Sequence, residues 1–417
     1  MRISTVTMFE QSTSSLNRQQ SDLMRISQQI ASGRRVVNPS DDPQAASRAI
    51  GVDQAMAVTE QYSDSRVSAR NSLAQTESII NSVGDAITSA KGLLIQASSD
   101  TLSDANRAAI ASELRGVYET LVGQANATDG NGRYLFGGYK DNAPPFIKTA
   151  EGNIVYNGDT NKREQRVDAS RLMPVGETGA TIFQSVASGA GYIAEAQTAN
   201  QGNVTFGGPR TTNVNADGYG GSYRVVFTEN IAADSGFDYQ VQRFENGNWL
   251  EDDADLVASG EYTGDGQQLA FAGINMTLQG SPAEGDEILV ARAGSEQRPA
   301  DLFRTLEAAI RVLETPAETN AEKAALRNTL NTSMRDLDNA LDNALTVRAS
   351  AGARLNELDV IDAVGSNRML NYTQTLSDLV DLDYAEAISE YSLRQLGLQA
   401  AQKTFVDMRD MSLLNFM

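Results

Sequence analysis

Carboxylates would have to carry any acid–base or metal chemistry in this 417-residue chain, which has 54 Asp and Glu but neither histidine nor cysteine. That composition removes the usual general base, the Ser-His-Asp triad and the HExxH zinc site. It also removes thiolate nucleophiles, disulfides and Zn–Cys centres. Three clusters remain. Asp41-Asp42 has the residue types of a metal site, but Pro43 follows directly. An Asp before a Pro at the first helical position is better read as a helix cap. Glu251-Asp252-Asp253-Ala254-Asp255 lacks the spacing of a calcium loop and reads as a solvated turn. Gly130, Gly132, Gly137 and Gly138 surround a turn with no Gly-Lys-Ser/Thr after them, so they do not read as a phosphate loop. No catalytic, cofactor or metal residue is assigned, and the chain is not read as an enzyme.

The stronger pattern lies in the elements themselves. Phe9, Leu16, Leu23 and Ile30 fall seven residues apart, with Ile26 on a neighbouring position. Tyr384, Tyr391, Leu398 and Phe405 repeat the spacing near the other end. A seven-residue apolar repeat makes one narrow stripe, which must be buried against another helix. These eight residues are the candidate assembly interface, between the two ends or between copies. Residues 1–50 carry 6 Lys/Arg against 4 Asp/Glu and residues 376–417 carry 3 against 7, so opposite net charges favour pairing weakly.

The middle has another texture. Asn38-Pro39 breaks the first pattern and Asp42-Pro43 restarts a long helix; a second helix runs from about Asp104 to Ala127. Pro144-Pro145 then marks a boundary. Residues 150–299 hold 21 of the 34 glycines and half of the aromatics, with 9 Lys/Arg against 21 Asp/Glu. Tyr223–Phe227, Tyr239–Phe244 and the alternating Ile274, Met276 and Leu278 read as strands, and Asn246-Gly247 as a hairpin turn. Helices return at Pro299, with a Thr319-x-x-Glu322 capping box and a second capping pattern at Asp383 and Glu386.

The expected fold is therefore α+β and multidomain. Residues 1–42 and 376–417 form a terminal coiled-coil assembly domain. Residues 43–144 and 299–375 form a helical core domain, a bundle. Residues 145–298 form an inserted, outward-facing all-β domain, dispensable for assembly and for folding of the helices. A net charge of -20 and a pI near 4.5 argue against nucleic acid and anionic membrane as partners. Met1-Arg-Ile-Ser-Thr lacks a secretory signal, and no stretch approaches the ~18 apolar residues of a membrane span.

Several segments together resemble the flagellin superfamily, and within it the hook-associated proteins of the hook–filament junction. They are Ile30-Ala-Ser-Gly-Arg-Arg-Val-Val-Asn-Pro-Ser-Asp-Asp-Pro43, Gly132-Arg-Tyr-Leu-Phe-Gly-Gly-Tyr139, Gly273–Asp286, Arg354–Asp359, Asn371–Asp383 and Met408–Phe416. Flagellin itself usually carries a Lys-Asp-Asp-Ala version of the first, so Asp41-Asp42-Pro43 leans toward the junction subunits. The likeness covers roughly 1–145 and 299–417. It implies a structural subunit for motility, exported unfolded and uncleaved by the flagellar type III apparatus and located extracellularly in the flagellum. Its implied partners are hook-associated protein 1, flagellin, further copies of itself in a ring, and an export chaperone. A flagellin filament subunit, or a glycan-binding module using Trp249, Tyr239 and Tyr262, is the alternative.

Overall fold

The computed structural model of the chain describes residues 5–414 except 100, 234 and 265, and side chains from 7 to 407. Met1–Ser4 and the side chains of the Met408–Phe416 segment lie outside the described residues. Helix α1 spans Thr5–Ser32, α2 Pro43–Ala97 and α3 Asp104–Ala125. Two short hairpins follow, β1 (Phe146–Lys148) with β2 (Ile154–Tyr156), and β3 (Glu164–Asp168) with β4 (Arg171–Pro174). A single-turn helix, α4, covers Gly179–Phe183. Strands β5 (Tyr192–Ala196), β6 (Thr205–Thr211), β7 (Tyr223–Glu229), β8 (Phe237–Glu245), β9 (Asn248–Trp249) and β10 (Ala258–Glu261) come next. They are followed by β11 (Gln267–Phe271), β12 (Ile274–Gln279) and β13 (Glu287–Arg292). Helices α5 (Leu302–Glu314), α6 (Asn320–Val380) and α7 (Tyr384–Leu414) complete the chain.

The chain divides into two compact units. One comprises residues 1–66 and 359–417, the other 67–358. Both cuts fall inside long helices, α2 and α6, and not at the expected boundaries 42/43 and 375/376. A helix that runs through a boundary leaves no turn signal there, so composition cannot mark it.

In the larger unit, strands β5–β13 form two antiparallel sheets. One runs in the order β10-β8-β7-β13-β5, with β9 on β8; the other runs β11-β12-β6. Alternate residues of both turn inward: Tyr223, Val225 and Phe227 of β7, and Ile274, Met276 and Leu278 of β12, share one buried core. The expected hairpin is present. Asn246 and Gly247 both have positive φ, 52° and 86°, and Phe244 pairs with Trp249 across the turn.

The helices of this unit close a separate core, but not alone. Phe146 and Ile154 of the first hairpin and Ile182 and Phe183 of α4 are buried among Ile87, Leu114, Leu121, Phe303, Leu306 and Leu337. The Phe183 ring lies 5.3 Å from Phe146, 5.5 Å from Phe303 and 6.0 Å from Phe136. The proline boundary at 144–145 is therefore not where the helical core ends. The β1–β2 hairpin and α4 belong to it, and the β sandwich begins near Tyr192.

Polar groups of α6 fasten that sandwich. The Asn328 side chain donates to the Val204 carbonyl at 2.8 Å and accepts from the Phe206 amide at 3.2 Å, replacing a missing strand neighbour. Thr332 donates its hydroxyl to the Ala194 carbonyl at 2.6 Å. Buried Arg298 bridges Glu195 at 2.8 Å and Asp336 at 2.5 Å. Burial, the largest effect, pushes the Asp336 carboxyl above its usual value despite Arg298.

Helix α6 starts at the capping box read from the sequence. Glu322 accepts from the Glu318 and Thr319 amides, and its own amide donates to the Thr319 hydroxyl. The Thr319 and Glu318 hydrogen bonds hold the Glu322 carboxyl below its ordinary value. The folded pKa is thus lower than the unfolded one. The cap's contribution is complete above the unfolded value and is lost as pH falls through the folded value. A carbon-detected titration of Glu322 should give a midpoint below that of an exposed glutamate. Glu322→Gln should flatten the acid limb of stability.

Candidate assembly interface

The terminal unit is built around α1 packed along α7. Phe9 and Phe405, from opposite heptad stripes, place their rings 5.0 Å apart. Leu16, Leu23, Ile30, Tyr391, Leu398 and Phe405 are half-buried, while Phe9 and Tyr384 stay 51% exposed. Among the expected interface residues, none is fully enclosed. The buried positions of this unit include Ile26, Val36, Ala387 and Val380 instead. Among the described residues, one ion pair joins the two helices, Arg394 with Asp22 at 2.8 Å, and Glu390 shares the guanidinium at 3.0 Å. Both partners are more than a third exposed, so the pair contributes about 0–1 kcal/mol.

The Ile30–Pro43 segment makes the joint that sets this pairing. Gly33 ends α1 with φ +71°, its amide donating to the Gln29 carbonyl at 2.8 Å. A Cβ at Gly33 would stand 2.9 Å from the Tyr384 hydroxyl, so glycine serves both the backbone turn and the close approach of α7. Arg34 and Asp381 form an antiparallel bridge. The Arg35 amide donates to the Val380 carbonyl at 2.8 Å, its side chain donates to the Leu379 carbonyl at 2.7 Å, and the Leu382 amide donates to the Gly33 carbonyl at 3.1 Å. The α1–α2 joint and the α6–α7 joint therefore clasp each other. Asp41 accepts from the Val37 and Asn38 amides, and Asp42 accepts from the Ala45 amide at 3.0 Å. Both carboxylates of the candidate metal pair are occupied in shaping the turn and capping α2.

Below the joint, Arg66 of α2 is 3% exposed and its Nε donates to Asp362 of α6. Gly365 makes room, since a Cβ there would lie 2.8 Å from the Arg66 guanidinium. Nothing in the local pattern singles this node out, and a glycine inside a helix ordinarily weakens it. The spacing Asp362-x-x-Gly365 was the available sign, but its partner is 296 residues away. Asp362→Ala removes one partner of the buried Arg66 guanidinium and should cost about 1–3 kcal/mol. Chemical denaturation of the full chain, followed at the terminal unit, checks this.

The terminal unit also shows apolar side chains outside the stripes. Leu393 is 71% exposed, Leu396 67% and Leu370 68%, joined by Met24, Ile50 and Ile388. Most exposed large apolar residues among those described lie in this unit, although the larger unit has more than twice its residues. Such a surface is what a subunit awaiting neighbours presents. Elsewhere the sugar-binding candidates are dispersed. Tyr262 is wholly buried and donates to the Gly280 carbonyl at 2.9 Å. The Trp249 ring is covered by Arg224, whose carbon centre lies 5.0 Å from its centroid. Glu251 pairs with Arg224 at 2.6 Å.

Residues 3–141 match the family model of the bacterial flagellin N-terminal helical region. Over 414 residues, 99% of this chain and 98% of the relative, the sequence is 33% identical to flagellar hook-associated protein 3 of Salmonella typhimurium. The protein of that name from Escherichia coli is equally similar. The chain belongs to the flagellar hook-associated protein 3 family. Crystal structures agree. FlgL of Xanthomonas campestris is 31% identical with a TM-score of 0.66, covering 78% of this chain and 99% of that one. The hook-associated protein 3 structure from Legionella pneumophila is 27% identical with a TM-score of 0.67, covering 79% and 98%. For this hook-associated protein 3 family member, the α+β multidomain fold and a structural role in the flagellum follow, with its place in that appendage. No helix among the described residues is long and apolar enough to cross a membrane.

Proposed function

We propose that the chain is the structural subunit that joins hook to filament in the bacterial flagellum and carries no enzymatic activity. The full-length likeness to hook-associated protein 3 carries this reading. The clasped terminal helices with their outward apolar residues support it, because they supply a surface for neighbouring subunits. In this reading the subunit stands on hook-associated protein 1, receives the first flagellin subunits, and closes a ring with copies of itself. Phe9, Leu16, Leu23, Ile30, Tyr384, Tyr391, Leu398 and Phe405 then form the seam that fixes α1 on α7, and Leu393, Leu396, Met24 and Ile388 face the neighbours. The chain reaches its site unfolded through the type III export apparatus, escorted by an export chaperone and without cleavage. Absence of cysteine suits that route, since no disulfide can form before passage. The domain roles follow: terminal helices assemble, the helical core spaces them, and the β sandwich faces outward.

Deleting the gene tests the proposal. Hooks should still form while flagellin is lost to the medium. Filaments that stay attached in the deletion strain would overturn it.

A further inference from the structure

The arginines of the sandwich and its mount mostly hold carboxylates: Arg224 pairs with Glu251 and Glu287, Arg243 with Glu245, and Arg298 with Glu195 and Asp336. Arg210 and Arg335 do not. Arg335 of α6 donates Nη1 to the Pro209 carbonyl at 3.1 Å, which brings its guanidinium beside Arg210 on β6. Among the described residues neither has a carboxylate within 4.0 Å. Burial, and then the charge of Arg210, hold Arg335 below the ordinary arginine pKa, outweighing the opposing pull of the Asp338 carboxylate. Two like charges held together in a chain of net charge -20 are a local excess that an external anion would relieve.

The surroundings suit a carboxylate. Arg335 opens into a groove of about 570 Å³ floored by Gly191, Gly207 and Gly208 and edged by the Asn331 and Asn339 amides. A Cβ at Gly191 or Gly207 would meet nothing within 4 Å, so the floor leaves space for an incoming side chain. Asp338 also lines the groove, but it is engaged by Lys91.

The same chain carries a matching feature. The turn from Glu251 to Asp255 is exposed at every residue, and Asp252, Asp253 and Asp255 have no cation within 4.0 Å among the described residues. We propose that the Arg335 groove, together with the exposed Arg210 beside it, is an interaction surface for a second copy of this chain, receiving the carboxylates of that copy's Glu251–Asp255 turn. Groove and turn are different patches, so the contact is head-to-tail and repeats from subunit to subunit, closing a ring if the rotation allows. Charge-assisted hydrogen bonds between guanidinium and carboxylate are the strong kind. They would also offset the mutual repulsion of neighbouring acidic sandwiches. The inference rests on the reading that copies stand side by side at the junction.

The natural absence of cysteine allows a direct test, because introduced cysteines have no competitors. Cells making both an Asp253→Cys chain and an Asn339→Cys chain should yield a covalent dimer on mild oxidation of isolated flagella. Arg210→Glu with Arg335→Glu should lower the yield by about tenfold or more, because like charges would then face each other. Adding Asp252→Arg and Asp255→Arg should restore it. If Arg335→Glu does not accumulate, Arg210→Glu alone decides, since that side chain is exposed. In cells that retain filaments, no dimer, or a dimer indifferent to the charge reversals, overturns this contact and leaves the junction reading standing. Filaments attached in the deletion strain would overturn the junction reading instead.

Discussion

A chain whose residues 145–298 are replaced by a short Gly/Ser linker should fail to fold its helical core. The replacement removes Phe146, Ile154, Ile182 and Phe183, each less than 9% exposed and packed among α2, α3 and α5. Phe183→Ala alone should cost about 3–5 kcal/mol, the range for a large aromatic lost from a packed core. Removing all four exceeds the 5–15 kcal/mol that typically separates folded from unfolded domains. A narrower replacement, spanning residues 191–297, should behave differently. It keeps the hairpins and α4, and it uncovers mainly polar groups of α6, Asn328, Thr332 and Asp336, which water can satisfy. Circular dichroism and calorimetry on the two purified variants distinguish them. Cooperative melting of the wide replacement at the temperature of the narrow one would show that the helices are self-sufficient.

Leu398→Asp should abolish retention of filaments while leaving residues 67–358 folded. Leu398 is half-buried on the α7 stripe, between Tyr391 and Phe405, and the latter touches Phe9 of α1. A carboxylate there without a hydrogen-bond partner costs about 1–3 kcal/mol in each subunit. That is a large fraction of what a pair of lone helices can gain by packing. Repeated in every copy around a ring, the loss should prevent a stable junction. The larger unit, with its own two cores, should melt unchanged because distant sites act independently. Flagellin in the medium measures the first effect and calorimetry the second. Attached filaments on cells making this variant would show that the stripe does not carry assembly.

Much of this architecture is legible locally. Helix starts carry their own chemistry, and Asp42, Ser103, Thr319 and Asp383 each cap a helix where the residue pattern places the start. Strands announce themselves by period two, as in Ile274, Met276 and Leu278, because one face must be buried. The seven-residue spacing of Phe9 to Ile30 and Tyr384 to Phe405 marks two stripes that need a partner, since spacing alone fixes which residues share a helix face.

What the sequence by itself determined, then, is element type, element order and the existence of two helical stripes at the ends. Each depends on interactions within a few residues. The tertiary structure decided everything that rests on distant pairs. It alone joined Arg66 to Asp362, and it alone clasped Arg34 against Asp381. It assigned Phe146 and Phe183 to the helical core although they follow the proline break, because burial is settled by whichever apolar surface lies nearest in space. It set Arg210 beside Arg335 with no carboxylate within 4.0 Å of either among the described residues, since the fold brings together residues 125 positions apart whatever their charge.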